Sequence, residues 1–251
     1  VLGSGCSTLG YYGQALAGHL EIVRRARPVG DWLADPATPA ALRARLELSQ
    51  RMRDFAVSAL DLPDNRSYRS YAALGRSAAV YNVVAAPELS LALHTWCFVL
   101  LGCVDYRGYF ARDAADAFAA GLRADGWETS VYGVPAYSTL GRTAWLGGDP
   151  LLDTFIDWPE GELARLMFHE LAHQVAYAAD DTSFNESFAV TVGRIGARLW
   201  LERHADARVR EADAALRLRR SEFRALVARY REALATLYAS RLPDDDKRRR
   251  K

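Results

Sequence analysis

The stretch His169-Glu170-Leu171-Ala172-His173 places two histidines four residues apart with a glutamate after the first. On a helix, positions four apart lie on one face, so both imidazoles can reach one metal ion. Glu170 projects beside them and can accept a proton from an activated water. Zinc lowers the pKa of bound water from 15.7 to about 7, which makes such water a nucleophile at neutral pH. The flanking apolar residues Leu166, Met167, Phe168 and Val175 agree with a helix that has a buried side. Pro159-Glu160-Gly161-Glu162 opens that helix with acids in its first turn, where they favour the dipole. The pattern predicts a helix through His173 to about residue 178.

A catalytic zinc takes three protein ligands and leaves one position open. Asn185-Glu186-Ser187-Phe188-Ala189 supplies the third. Asp180-Asp181-Thr182 reads as a turn, and Glu186 then falls near the first turn of the following helix. Two antiparallel helices would bring Glu186 opposite His169 and His173. The plain alternative is a polar helix face with two satisfied histidines, but two of the five histidines in the chain fall here.

Outward from the motif, the C-terminal half is helical. Thr182 or Ser183 starts one helix, and residues 205–240 form a long Arg- and Ala-rich one with Leu216, Phe223, Leu226, Val227, Tyr230 and Leu234 on one stripe. Residues 68–71, 78–85, 94–101, 104–110, 127–132 and 136–140 are rich in aromatic and β-branched residues and read as strands. A helix over 111–125 separates two of them and closes on Gly126. Residues 141–150 are a loop. At the N-terminal side, 1–10 reads as a tether, 11–27 as a helix, and Thr38-Pro39 as the cap and first turn of a helix to about Asp61. The expectation is an α+β chain with a mixed sheet, an edge strand, an active-site helix and a helical C-terminal half, one domain over 11–251.

The 251 residues are half apolar, enough for a real core, and carry 32 Lys+Arg against 31 Asp+Glu. A net charge of +1 argues against a nucleic-acid groove or a broad membrane-binding face. The most apolar region, 77–103, is broken by Pro87, Glu88 and His94 and falls short of the roughly 18–20 residues of a spanning helix. Leu2-Gly3-Ser4-Gly5-Cys6 resembles the cleavage end of a bacterial lipoprotein signal, with Gly3 where Leu is usual. This predicts a lipid on Cys6 as the link to a membrane, on the periplasmic side of the envelope; the alternative is a stray cysteine. Cys97 and Cys103 flank a Gly102 turn and can pair in an oxidising compartment, or remain buried thiols.

The two motifs together resemble the gluzincin metallopeptidases, which carry HExxH followed by an Asn-Glu motif. More closely, the chain resembles a family of bacterial aminopeptidase lipoproteins. Stretches that carry this include Leu62-Pro63-Asp64-Asn65, Ala86-Pro87-Glu88-Leu89-Ser90, Tyr106-Arg107-Gly108-Tyr109-Phe110, Gly133-Val134-Pro135-Ala136-Tyr137-Ser138-Thr139-Leu140-Gly141 and Leu242-Pro243-Asp244, so the likeness covers nearly the whole chain. It implies a zincin-like fold, one zinc on His169, His173 and Glu186, Glu170 as general base, and further helical sequence after Lys251. The interval from His173 to Glu186 is shorter than in the best-known gluzincins. The position one turn after the metal Glu, a carboxylate in many of them, is here Val190.

The resemblance also implies that residues 133–141 form an edge strand that holds a peptide by backbone hydrogen bonds. Tyr137 is the candidate to polarise the scissile carbonyl. A core tyrosine is the alternative, and Tyr106, Tyr109, Tyr177 and Tyr230 compete for the role. Aminopeptidases need an acid for the free amine; no Glu lies between Glu128 and Glu160, which leaves Glu88 and Asp153. The expected function is zinc-dependent hydrolysis of a peptide or protein substrate, as an aminopeptidase. The rivals are an envelope endopeptidase and a zinc-containing binding or chaperone-like protein.

Overall fold

The structure, a computed structural model, describes residues 4–98, 102–136, 148–176, 178 and 181–251. In chain order its elements are α1 (Ser4–Arg25), β1 (Arg27–Pro28), α2 (Val29–Ala34), α3 (Ala40–Leu60), β2 (Ser70–Ala72), β3 (Val80–Pro87), β4 (Trp96–Phe98), β5 (Gly102–Val104), β6 (Arg107–Tyr109), α4 (Arg112–Ala124), β7 (Trp127–Val134), β8 (Leu151–Leu152), α5 (Glu160–Ala172), α6 (Thr182–His204), α7 (Ala207–Ala239) and α8 (Asp244–Arg250). The chain is α+β, and its C-terminal half is helical. It divides into two compact units, Val1–Ala79 with Pro135–Asp213, and Val80–Val134 with Ala214–Lys251. No helix among the described residues is long and apolar enough to cross a membrane.

The first unit is built around α5. Leu163, Ala164, Met167, Phe168, Leu171 and Ala172 recur at helical spacing and are fully buried. They meet Leu46, Met52, Phe55 and Ala56 of α3 and Ala189, Ala197 and Trp200 of α6 in one core. A small mixed sheet completes the unit. β1 pairs antiparallel with β2, and β2 pairs parallel with β8. β8 is only two residues long and carries no alternation that would announce it. The N-terminal helix begins at Ser4, ahead of the expected Tyr11. Thr38 does not cap α3 as expected. Pro39 holds the N-cap position without a side-chain bond, and the Thr38 hydroxyl donates instead to the Trp32 carbonyl at 2.6 Å.

The second unit holds an antiparallel sheet in the order β6-β3-β7, with α4 packed on it. β3 and β7 pair over eight residues, from Val80 opposite Val134 to Pro87 opposite Trp127. β7 lies at the sheet edge and ends at Val134; residues 137–147 lie outside the described residues, and with them the expected strand to 140 and Tyr137. The long aromatic stretch 94–110 forms three short strands. Cys97 and Cys103 stand directly opposite in the β4–β5 hairpin and are disulfide-bonded. Gly126 closes α4 with a φ of 86°, the left-handed conformation that an L side chain resists.

Candidate metal centre

The i, i+4 spacing on α5 brings the His169 and His173 rings to nearly perpendicular planes, 88° apart, with their Nε2 atoms separated by 3.1 Å. Glu186, in the second turn of α6, lies across from both. Its Oε2 is 3.5 Å from His169 Nε2 and its Oε1 is 3.5 Å from His173 Nε2. Glu170 flanks the group, with Oε1 4.0 Å from His169 Nε2. His173 is buried and Glu186 is half exposed, so the cluster faces solvent on its carboxylate side.

Local sequence explains how α6 reaches this position. α5 ends at Ala172 rather than near 178, and the chain turns at His173. Asp181 caps α6 by accepting from the Phe184 N–H at 2.8 Å. Asn185 is buried and clamps the connecting turn from both sides. Its Oδ1 accepts from the Ala178 N–H at 2.7 Å and its Nδ2 donates to the Ala178 carbonyl at 2.8 Å. Two glycines then let the helices meet. A Cβ on Gly193 would stand 2.8 Å from the Arg165 carbonyl oxygen, and one on Gly196 would stand 2.8 Å from the Phe168 ring. At the other end of α5, the Trp200 indole N–H donates to Glu160 at 2.7 Å.

The electrostatics suit a metal. Burial pushes the His169 imidazole below its ordinary pKa, helped by His173 and opposed by Glu186. Burial does the same to His173, again opposed by Glu186. Neutral imidazoles are the ligating form. The 3.1 Å between the two Nε2 atoms is close to the edge of a tetrahedron with metal–ligand bonds of about 2.0–2.1 Å, roughly 3.3 Å, and each imidazole has one Glu186 oxygen at 3.5 Å. All three ligand atoms lie within 4.8 Å of one another. Two nitrogens and one carboxylate are a donor set that fits a zinc-like ion. His169, His173 and Glu186 are thus brought together as the spacing predicted, with Glu170 beside them.

Other expected residues fall elsewhere. Glu88 accepts from Arg248 Nε with both oxygens at 2.9 Å. Asp153 accepts from the Leu74 and Gly75 N–H groups at 2.9 and 2.8 Å, so its carboxylate closes a turn. Val190 is exposed. Tyr177, like Tyr137, lies outside the described residues. Tyr68, expected to open a strand, is buried, takes a φ of 64°, and has its phenol pKa held well above the ordinary value by burial and then by the charges of Glu170 and Asp149. Nothing in Arg66-Ser67-Tyr68 marks that backbone conformation.

A family model described as "Putative aminopeptidase" matches residues 10–251, and the chain belongs to that family. Membership points to peptide hydrolysis. No curated protein and no solved structure matches the chain.

Proposed function

We propose that this member of the putative aminopeptidase family is a gluzincin-type, zincin-like peptidase whose zinc is held by His169, His173 and Glu186. The observation that carries the reading is the convergence of His169, His173 and Glu186, one ligand atom from each within 4.8 Å of the others, with Glu170 alongside. Zinc, when bound, supplies Lewis acidity that lowers the pKa of water and polarises a carbonyl. Glu170 acts as general base, takes the proton of the water that attacks the scissile carbonyl, and returns it to the leaving amine. His169 and His173, kept neutral by burial, hold the centre without competing for that proton. Tyr137 is the proposed oxyanion donor.

The aminopeptidase reading rests on the family. One observation favours an endopeptidase instead: Glu88 and Asp153, the two acids considered for the substrate amine, are engaged with Arg248 and with the Leu74–Gly75 turn. Zinc-loaded protein offered matched free and N-acetylated peptides separates the two. Cleavage of the free peptide alone supports an aminopeptidase, and equal cleavage supports an endopeptidase. The location proposed is the periplasmic face of a bacterial envelope, with a lipid on Cys6. It is supported by the sequence around Cys6 and by the Cys97–Cys103 bond, which suits an oxidising compartment. Incorporation of labelled palmitate that Cys6→Ser removes would test it.

A further inference from the structure

His173 is the C-cap of α5, not an interior residue. Its backbone is still helical, with the N–H donating to the His169 carbonyl at 3.3 Å, but the residues after it are no longer in the helix. Past it, the chain continues through turn bonds, from the Gln174 N–H to the Leu171 carbonyl at 3.1 Å and from the Val175 N–H to the Ala172 carbonyl at 2.9 Å, with a longer bond from the Ala176 N–H to the Ala172 carbonyl at 3.4 Å. Metal-bound histidines are usually steered by a hydrogen bond to the other ring nitrogen. His173 Nδ1 is buried and has no such partner among the described residues. Something else must hold this end of the helix.

The next residue does. Gln174 Oε1 accepts from Asn65 Nδ2 at 2.5 Å, and Gln174 Nε2 reaches Ser67 Oγ at 3.4 Å. Both partners sit on a loop that cannot drift. Asn65 Oδ1 accepts from the Ser67 N–H at 3.0 Å. Beneath the loop, the fully buried Arg53 donates from Nε to the Ser67 carbonyl at 3.0 Å, and from Nη2 to the carbonyls of Pro63 at 2.5 Å and Asn65 at 3.2 Å. From the far side, the Tyr68 N–H donates to the Asp149 carbonyl at 2.7 Å. Gly148, at a φ of 73°, allows that approach; a Cβ there would lie 2.5 Å from Ser67 N.

We propose that Gln174 is a positioning residue for the metal centre, which transmits the rigidity of the Arg53-held loop at 63–68 to His173. The inference rests on the metal reading of His169, His173 and Glu186. It is tested by zinc affinity, from chelator competition, and by the visible spectrum of the cobalt-substituted protein. Gln174→Leu keeps the shape and removes the bonds; it should weaken zinc about tenfold to a hundredfold, as loss of an outer partner does, and shift the cobalt bands. Gln174→Glu, which still accepts from Asn65 Nδ2 and from the Ser67 hydroxyl, should restore both. Asn65→Ala combined with Gln174→Leu should be no weaker than the weaker single variant. If wild type binds zinc and Gln174→Leu matches it in affinity and spectrum, the inference is overturned alone. Equal losses in Gln174→Leu and Gln174→Glu, additive with Asn65→Ala, would also overturn it. Absence of zinc binding by wild type would overturn the reading of the centre itself.

Discussion

Gly193 of α6 lies against His169 of α5 so closely that a Cβ at 193 would stand 3.1 Å from the histidine's own Cβ. Glu186 is two turns earlier on the same helix, so this contact sets the distance between the carboxylate and the imidazoles. Gly193→Ala must push the helices apart. Overpacking of this kind costs about 1–3 kcal/mol, more than the roughly 1 kcal/mol that alanine ordinarily gains over glycine in a helix. Urea unfolding should show a net loss of stability, and zinc affinity should fall with it. Gly121→Ala in α4 is the control, since a Cβ there meets nothing within 4 Å. It should stabilise by about 0.5–1 kcal/mol.

Asn185 spends both ends of its amide on the backbone of Ala178. Asn185→Ala removes two hydrogen bonds and leaves the Ala178 groups to find other partners. At about 1 kcal/mol for each bond, the loss in urea unfolding should be about 2 kcal/mol. Because the clamp fixes the connection between His173 and Glu186, zinc affinity should drop in the same variant while Gly121→Ala leaves it unchanged.

His169 and His173 both have pKa values lowered in the folded chain, chiefly by burial. The unfolded chain then binds more protons than the folded one below pH about 6.5. The metal-free protein should hold its full stability above that pH and lose it as the pH falls through the window down to the folded-state pKa values. Urea midpoints measured across pH 5–8 test this. The slope should flatten in the His169→Gln, His173→Gln double variant.

The cluster of His169, His173 and Glu186 was legible because helical spacing puts His169 and His173 on one face, and because a short connection suffices to return Glu186. The strands expected at 78–85 and 127–132 were legible to within two residues of β3 and β7, since Val80, Tyr81, Val83 and Val84, and Trp127, Thr129, Val131 and Tyr132, favour extended chain. The end of α5 was not, because side-chain contacts hold the chain past it: Asn65, 109 residues away, takes the side chain of Gln174, and Asn185 takes the backbone of Ala178. Thr38 has the chemistry of a cap but bonds to Trp32, a choice that local sequence does not record. Gly193 and Gly196 carried a readable signal, two small residues three apart inside a helix, whose meaning depended on knowing which helix lay opposite.

The role of Glu170 separates a peptidase from a protein that merely holds a metal. The most direct measurement is zinc content together with hydrolysis of a mixed peptide library, on wild type and Glu170→Gln. Zinc is expected in both proteins and cleavage by wild type alone. Cleavage by Glu170→Gln at the wild-type rate, or a wild type that cleaves while retaining no zinc, would contradict the proposed function.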